Sequence, residues 1–269
     1  MEGFKMAGIY DTHVHLNDQI YLDLDVTSAD IVKSATQAGV SIMNVVGYDV
    51  KSSKIALRYA NEYPNLYAVI GIHPNEAQYF TKEAIHSLED WANGDNVVAI
   101  GETGLDYSKS KEFAKNQKET FEAQIDIALN LGLPVVLHIK DVDGSFEAYD
   151  DTIEILKAKK VKKAVVHSYE GDLAHAKELF AMGYYLSFSG VITYKENAEL
   201  LNVVKASPIN QIMIETDSPY SAPVPFKGKV NYPKNAVIVA DAVAKAKNMD
   251  VDDLISATRT NAQKLFNVD

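Results

Sequence analysis

The sequence has no cysteine among its 269 residues. That excludes a disulfide framework and a thiolate metal site, so any metal must be held by His, Asp or Glu. No apolar run approaches the roughly 20 residues that span a bilayer. The opening MEGFKMAGIYDTHVHL lacks both the apolar core of a secretory signal and a twin arginine. A cytoplasmic protein with no membrane partner is the expectation, and nothing calls for an obligate protein partner. Basic charge is scarce: 26 Lys and Arg face 37 Asp and Glu, a formal net charge of −11. Such a surface repels nucleic acid at long range and argues against a protein that coats DNA non-specifically. A locally positive cleft remains compatible with it, because a bound divalent cation inverts the nearby field. Gly/Ser linkers and low-complexity stretches are absent too, so a single domain over residues 1–269 is expected.

What is present alternates. Short β-branched runs at 8–13, 41–47, 66–72, 97–102, 134–138, 164–167, 184–188 and 211–215 read as strands. Several are almost continuously apolar, as in parallel strands covered on both faces. Helical patterns fill the gaps, most clearly at 29–38, 111–131, 173–182, 234–247 and 252–266. Thr27 with Asp30 resembles a capping box before the first of these, and Gly39 follows it as a terminator. Eight β/α alternations over about 250 residues predict an α/β fold of the (β/α)8 TIM-barrel type. A doubly wound open sheet is the rival, but no Gly-rich fingerprint follows the first strand. The stretch 217–234 holds Pro219, Pro223, Pro225 and Pro233 and is long for a connection, which marks it as a functional loop.

The histidines carry the chemical signal. His86 and His175 fall inside helical patterns and read as surface groups. His13, His15, His73, His138 and His167 all fall at the C-terminal ends of predicted strands, which converge on one face in a parallel barrel. His13 and His15 are two apart, so a strand turns both to one side and offers two imidazoles to one ion. Glu102 ends its strand, where a carboxylate can bridge two metals, and Gly101 and Gly104 favour a tight, close-approach turn there. His138 and His167 each close an apolar strand and suit a second ion. Glu215 and Asp217 are also two apart and share a face if the strand persists; one can bind metal and accept a proton from water, the other can support from behind. His73 is read as a substrate contact and not a ligand, and Lys140 as a phosphate contact. Imidazoles with carboxylates suit Zn, Mn, Co or Fe better than Ca.

These stretches recur in order. DTHVHL (11–16), GIHPN (71–75), GETGLDY (101–107), QKETFEAQ (117–124), PVVLHIKD (134–141), VVHSYEG (165–171), YLSFSGVITY (185–194), IETDSPYSAPVPFKGK (214–229) and NAQKLF (261–266) cover nearly the whole chain. Together they resemble the TatD family of metal-dependent hydrolases, within the amidohydrolase-like barrels. The resemblance implies a TIM-type barrel with two divalent ions, Zn, Mn or Mg. His13, His15 and Asp217 would serve one ion, His138 and His167 the other, and Glu102 would bridge. It also implies deoxyribonuclease activity, often 3′→5′ on single-stranded DNA. The chain departs from the family pattern at Lys140, where Arg is frequent, at Phe226 and Lys227 in the loop, and at Ser168 and Glu170.

The expected activity is therefore phosphodiester hydrolysis at DNA ends by metal-activated water. Glu102 and Asp217 are the catalytic carboxylates, with Asp217 accepting the proton. Glu215 stands behind the metal ligands, His73, Lys140 and Lys227 grip phosphates, and Tyr107, Tyr220 and Phe226 stack bases. The alternative is hydrolysis of a small ester, lactone or amide by the same metals.

Overall fold

The computed structural model describes residues 8–269; the first seven residues, on which part of the reading of the N-terminus rests, lie outside them. Eight strands run in chain order: β1 (Ile9–Val14), β2 (Val40–Val46), β3 (Leu66–Ile70), β4 (Val97–Asp106), β5 (Val135–Lys140), β6 (Ala164–Val166), β7 (Tyr185–Phe188) and β8 (Ile212–Ile214). Each pairs in parallel with the next, so the order around the sheet is the order in the sequence. Among the described residues the α-helices are α1 (Gln19–Asp23), α2 (Ser28–Gln37), α3 (Val50–Glu62), α4 (Lys82–Trp91), α5 (Ala114–Leu131), α6 (Glu147–Lys159), α7 (Leu173–Ala181), α8 (Ala198–Ala206), α9 (Ala236–Lys247) and α10 (Val251–Phe266). The expected TIM-type barrel is thus present. Thr27 caps α2 by accepting from the Asp30 N–H, as its spacing predicts.

Strand alternation sorts the residues. Val135, Leu137, Ala164, Val166, Leu186, Ile212 and Ile214 pack outward against the helices. Val136, Val165, Tyr185 and Met213 point inward, where the end of α10 closes the base of the barrel with Leu265 and Phe266. Two residues further along the same inward faces stand His138, His167, Ser187 and Glu215. Apart from Asn44, which accepts the Tyr10 hydroxyl at 2.8 Å inside the barrel, the interior is mainly apolar below and becomes polar toward the C-terminal mouth.

The ring closes between β1 and the segment after β8. Val14 bridges Ser218, the His15 N–H donates to the Ser218 carbonyl at 2.7 Å, and the Asp217 N–H donates to the His13 carbonyl at 2.9 Å. Lower in the seam a side chain stands in for backbone pairing. The buried Asp11 carboxyl accepts the Thr216 N–H at 2.9 Å and the Thr216 hydroxyl at 2.6 Å. Burial pushes Asp11 up to about 8, against the pull of those donors.

Two expectations change. β4 does not stop at Glu102 but runs on to Asp106, with a shift of register against β5 between Ile100 and Thr103. The glycines that suggested a turn instead let the strand pass close to its neighbour. At Gly104 the backbone has φ +141°, and a Cβ would lie 2.1 Å from the His138 carbonyl oxygen. Conversely β8 ends at Ile214, so Glu215 and Asp217 do not lie on one continuing strand.

Gly104→Ala is expected to lower stability by about 2 kcal/mol or more, from left-handed strain plus the clash with β5. Gly132→Ala is the control: φ is +69° but nothing lies within 4 Å of the added Cβ, so about 1 kcal/mol is expected. Urea unfolding of both variants checks this; equal losses would contradict the close approach at Gly104.

Candidate metal centre

Glu102 is buried in the mouth of the barrel, and its two oxygens face different histidines. Oε2 lies 3.5 Å from His13 Nε2 and 3.6 Å from His15 Nε2. Oε1 lies 2.7 Å from His138 Nδ1, 2.7 Å from His167 Nε2 and 3.5 Å from His73 Nε2. All five strand-end histidines singled out from the sequence thus converge on one carboxylate. They come from β1 and its exit, the segment after β3, β5, and the residue after β6.

The far nitrogen of most of these rings is held from behind. His15 Nδ1 donates to the Val46 carbonyl at 2.9 Å, which leaves the Nε2 lone pair facing the cluster. His167 Nδ1 lies 3.3 Å from Glu215 Oε1, and Glu215 also accepts the Ser168 N–H at 2.8 Å. His138 Nε2 lies 3.2 Å from Asp106 Oδ2. The His13 ring stacks on His167, with centroids 3.9 Å apart. Glu215 therefore stands behind His167. Asp106 does the same for His138, a role the sequence reading missed, although the residue lies in the quoted GETGLDY stretch.

Charge follows from these contacts. Burial pushes the Glu102 carboxyl up, but the surrounding imidazoles outweigh it and hold it well below the usual carboxylate range. Burial lowers His138 and His167, yet each lies between two carboxylates, and both end above the ordinary histidine value. His15 and His73 move the other way, first through burial and then through neighbouring imidazoles; His73 falls to about 3.

The donor set fits divalent cations. The Nε2 atoms of His13 and His15 face each other at 3.2 Å, and His13 Nδ1 is buried without a hydrogen-bond partner among the described residues. Facing lone pairs are tolerated only with a proton or a cation between them. Among the described residues three combinations are compact enough to grip an ion: His13, His15 and Glu102; His13, His167 and Glu215; and His73, Glu102 and His138. Imidazole and carboxylate donors together suit Zn, Mn or Fe.

Asp217 sits at the edge of the cluster. Its Oδ1 is 3.7 Å from His15 Nε2, and its Oδ2 accepts the Ser221 hydroxyl at 2.7 Å. Its backbone is left-handed, φ +54°, a conformation uncommon for aspartate and frequent where strain serves a site. Glu215 points instead beneath His167, so the two carboxylates serve different sides of the mouth.

The remaining expectations divide. Lys140 and Lys227 are partly exposed and already paired, Lys140 with Glu170 at 3.4 Å and Lys227 with Glu196. Tyr220 is half exposed and meets His15 edge to face, with ring centroids 5.8 Å apart and its hydroxyl donating to Asp18 at 2.6 Å. Phe226 is exposed. Tyr107 is not available for stacking: it is buried and its hydroxyl donates to Asp151 at 2.8 Å. His86 is a surface group. His175 is not; it is largely buried between Asp172 and Asp150. Among the described residues no helix is long and apolar enough to cross a membrane.

Comparison with known proteins agrees with this geometry. The family model described as TatD related DNase matches residues 10–267. The chain is 35% identical over 262 residues to the uncharacterized metal-dependent hydrolase YabD of Bacillus subtilis, covering 97% of this chain and 99% of that one. It is 33% identical over 264 residues to the uncharacterized metal-dependent hydrolase YcfH of Escherichia coli, covering 97% and 96%. Among solved structures it superposes on YJJV, a TatD homologue from Escherichia coli, with TM-score 0.90 and 26% identity over 98% of this chain and 100% of that one. With its strand-end histidines gathered around one buried carboxylate, the chain belongs to the TatD family of metal-dependent hydrolases.

Proposed function

We propose that the protein hydrolyses phosphodiester bonds at the ends of DNA strands, using two divalent ions. The observation that carries this reading is the division of the Glu102 carboxylate, with Oε2 toward His13 and His15 and Oε1 toward His138 and His167. A carboxylate so placed suits one ion on each side. In this reading His13, His15 and Asp217 hold one ion, His138 and His167 hold the other, and Glu102 belongs to both. When bound, the ions supply an acidified water and positive charge opposite the phosphoryl oxygens.

The chain's own groups do the rest. Glu215, Asp106 and the Val46 carbonyl fix the orientation of His167, His138 and His15. Asp217 turns Oδ1 toward His15 and accepts the Ser221 hydroxyl on Oδ2, and this carboxylate would take the proton from the attacking water. His73 Nε2 contacts a phosphate oxygen. Lys140 and Lys227 hold the flanking phosphates, each exchanging a glutamate partner for a phosphate. Tyr220 and Phe226 offer exposed rings on which terminal bases stack. DNA as the substrate is supported by the family description; 3′→5′ polarity belongs to the same proposal.

A second reading has one observation in its favour. Both rim lysines are neutralised by glutamates on a chain of net charge −11, which suits a less charged ester, lactone or amide. Single-stranded oligonucleotides labelled at either end, assayed beside lactones and amides with Mg, Mn or Zn, separate the two. Shortening from the 3′ end supports the DNA reading; turnover of the small substrates alone overturns it. With the active substrate, Glu102→Gln is expected to lower kcat on the order of 10³-fold. Near wild-type turnover in that variant would contradict the bridging role.

Protons and metal ions compete for the same nitrogens. Because His138 and His167 lie above the ordinary histidine value, both carry protons at low pH that metal must displace. Raising pH removes those protons, so affinity is expected to climb with pH and to level off only above the ordinary histidine value of about 6.5, with protons released on binding. Titration calorimetry near pH 6 and near pH 8, in buffers of different ionisation enthalpy, checks this; equal affinity with no proton release would contradict it.

A further inference from the structure

His73 can be read in two ways. Its Nε2 stands with Glu102 and His138 in a group compact enough to hold an ion, which makes it a possible ligand. A ligand nitrogen must present a lone pair, whereas a substrate contact of the kind proposed above must present an N–H. The tautomer decides between them, and the local sequence His73-Pro74-Asn75 sets the tautomer. Pro74 opens the short 3₁₀ turn Pro74–Tyr79 and has no N–H to offer. The first free donor of that turn is the Asn75 N–H, and it points at His73 Nδ1 at 3.0 Å. An Nδ1 that accepts a backbone N–H cannot carry the ring proton. In the neutral ring the proton is therefore on Nε2, the atom directed at Glu102 Oε1.

The side chain of the same residue reaches the other arm of the site. Asn75 Nδ2 donates to Asp106 Oδ2 at 3.1 Å, the oxygen that lies 3.2 Å from His138 Nε2. The opposite oxygen, Asp106 Oδ1, is held by the Ser108 N–H at 2.9 Å and by the Ser108 hydroxyl. Asp106 is thus fixed from both sides, and one of those fixings comes from Asn75. A single residue joins the substrate-contact histidine to a ligand histidine through two separate hydrogen bonds, one from its backbone and one from its amide.

We propose that Asn75 is a positioning residue: its N–H locks His73 as an Nε2–H donor and so keeps it from binding metal, while its amide steadies the Asp106–His138 pair. The part that concerns substrate rests on the reading of His73 under Proposed function; the tautomer does not, and it can be read without any substrate.

Nitrogen NMR of ¹⁵N-histidine-labelled protein, titrated with Zn, tests this directly. His73 is expected to show a protonated Nε2 and an unprotonated Nδ1 before and after Zn, while resonances of His138 and His167 shift. A His73 Nε2 that loses its proton and shifts with Zn overturns the proposal. Two variants separate the arms. Asn75→Ala keeps the backbone N–H, so His73 is expected to retain its tautomer while Zn affinity falls about tenfold through the loosened Asp106–His138 pair. Asn75→Pro removes the N–H as well, and His73 is expected to populate the Nδ1–H form and to respond to Zn. An unchanged His73 tautomer in a folded Asn75→Pro variant, or unchanged Zn affinity in Asn75→Ala, overturns the corresponding arm. Should oligonucleotides prove not to be substrates, these spectra still decide the tautomer.

Discussion

A carboxylate buried beneath a barrel mouth is costly unless positive charge meets it. Glu102 is such a group, and the surrounding imidazoles are what meet it. The requirement explains features that are otherwise unrelated. β4 carries Glu102 past β5 between two close approaches, at Gly101 and Gly104, where a Cβ would meet the Val136 and His138 carbonyl oxygens. His138 and His167 reach Glu102 because each stands two residues beyond an inward apolar residue, Val136 and Val165. The proposed metal pair depends on the same condition, since a carboxylate must stay ionised to offer an oxygen to each ion.

The ring of strands is closed by the residues that serve the mouth. The seam between β1 and the segment after β8 consists of hydrogen bonds between His13, His15, Asp217 and Ser218, with Asp11 gripping Thr216 below them. Asp217 gains its left-handed backbone at that seam. Barrel closure and the placement of Asp217 beside His15 are consequently one event. Behind the mouth, Val46, Glu215 and Asp106 each take one nitrogen of a histidine and aim the other at the centre. This shell converts flexible rings into fixed donors before any ion or substrate arrives.

The strand pattern and the histidines were legible in the sequence because both depend on short-range spacing. Apolar runs marked the strands, and the HxH of His13 and His15 follows from period two. What escaped depends on contacts between distant positions. Gly101 and Gly104 suggested a turn, and only the approach of β5 reveals why β4 continues to Asp106. Asp106 looked like any aspartate beyond a glycine until His138 was placed beside it. Tyr107 read as a mouth aromatic, yet it turns away to Asp151. α3 gave little helical signal because its buried face is Ser52, Ser53, Ala56 and Ala60, too small and polar to stand out as an apolar stripe. His175 read as exposed because its partners, Asp150 and Asp172, include one from another helix.

The claim on which the account rests is that Glu102 divides the histidines into two sets that each receive an ion. Anomalous scattering at the zinc edge from crystals of Zn-loaded protein tests it most directly. The account predicts two peaks about 3.5–4 Å apart, one beside His13 and His15, the other beside His138 and His167, with the Glu102 carboxylate between them. A single peak, or a second one remote from Glu102, would contradict it.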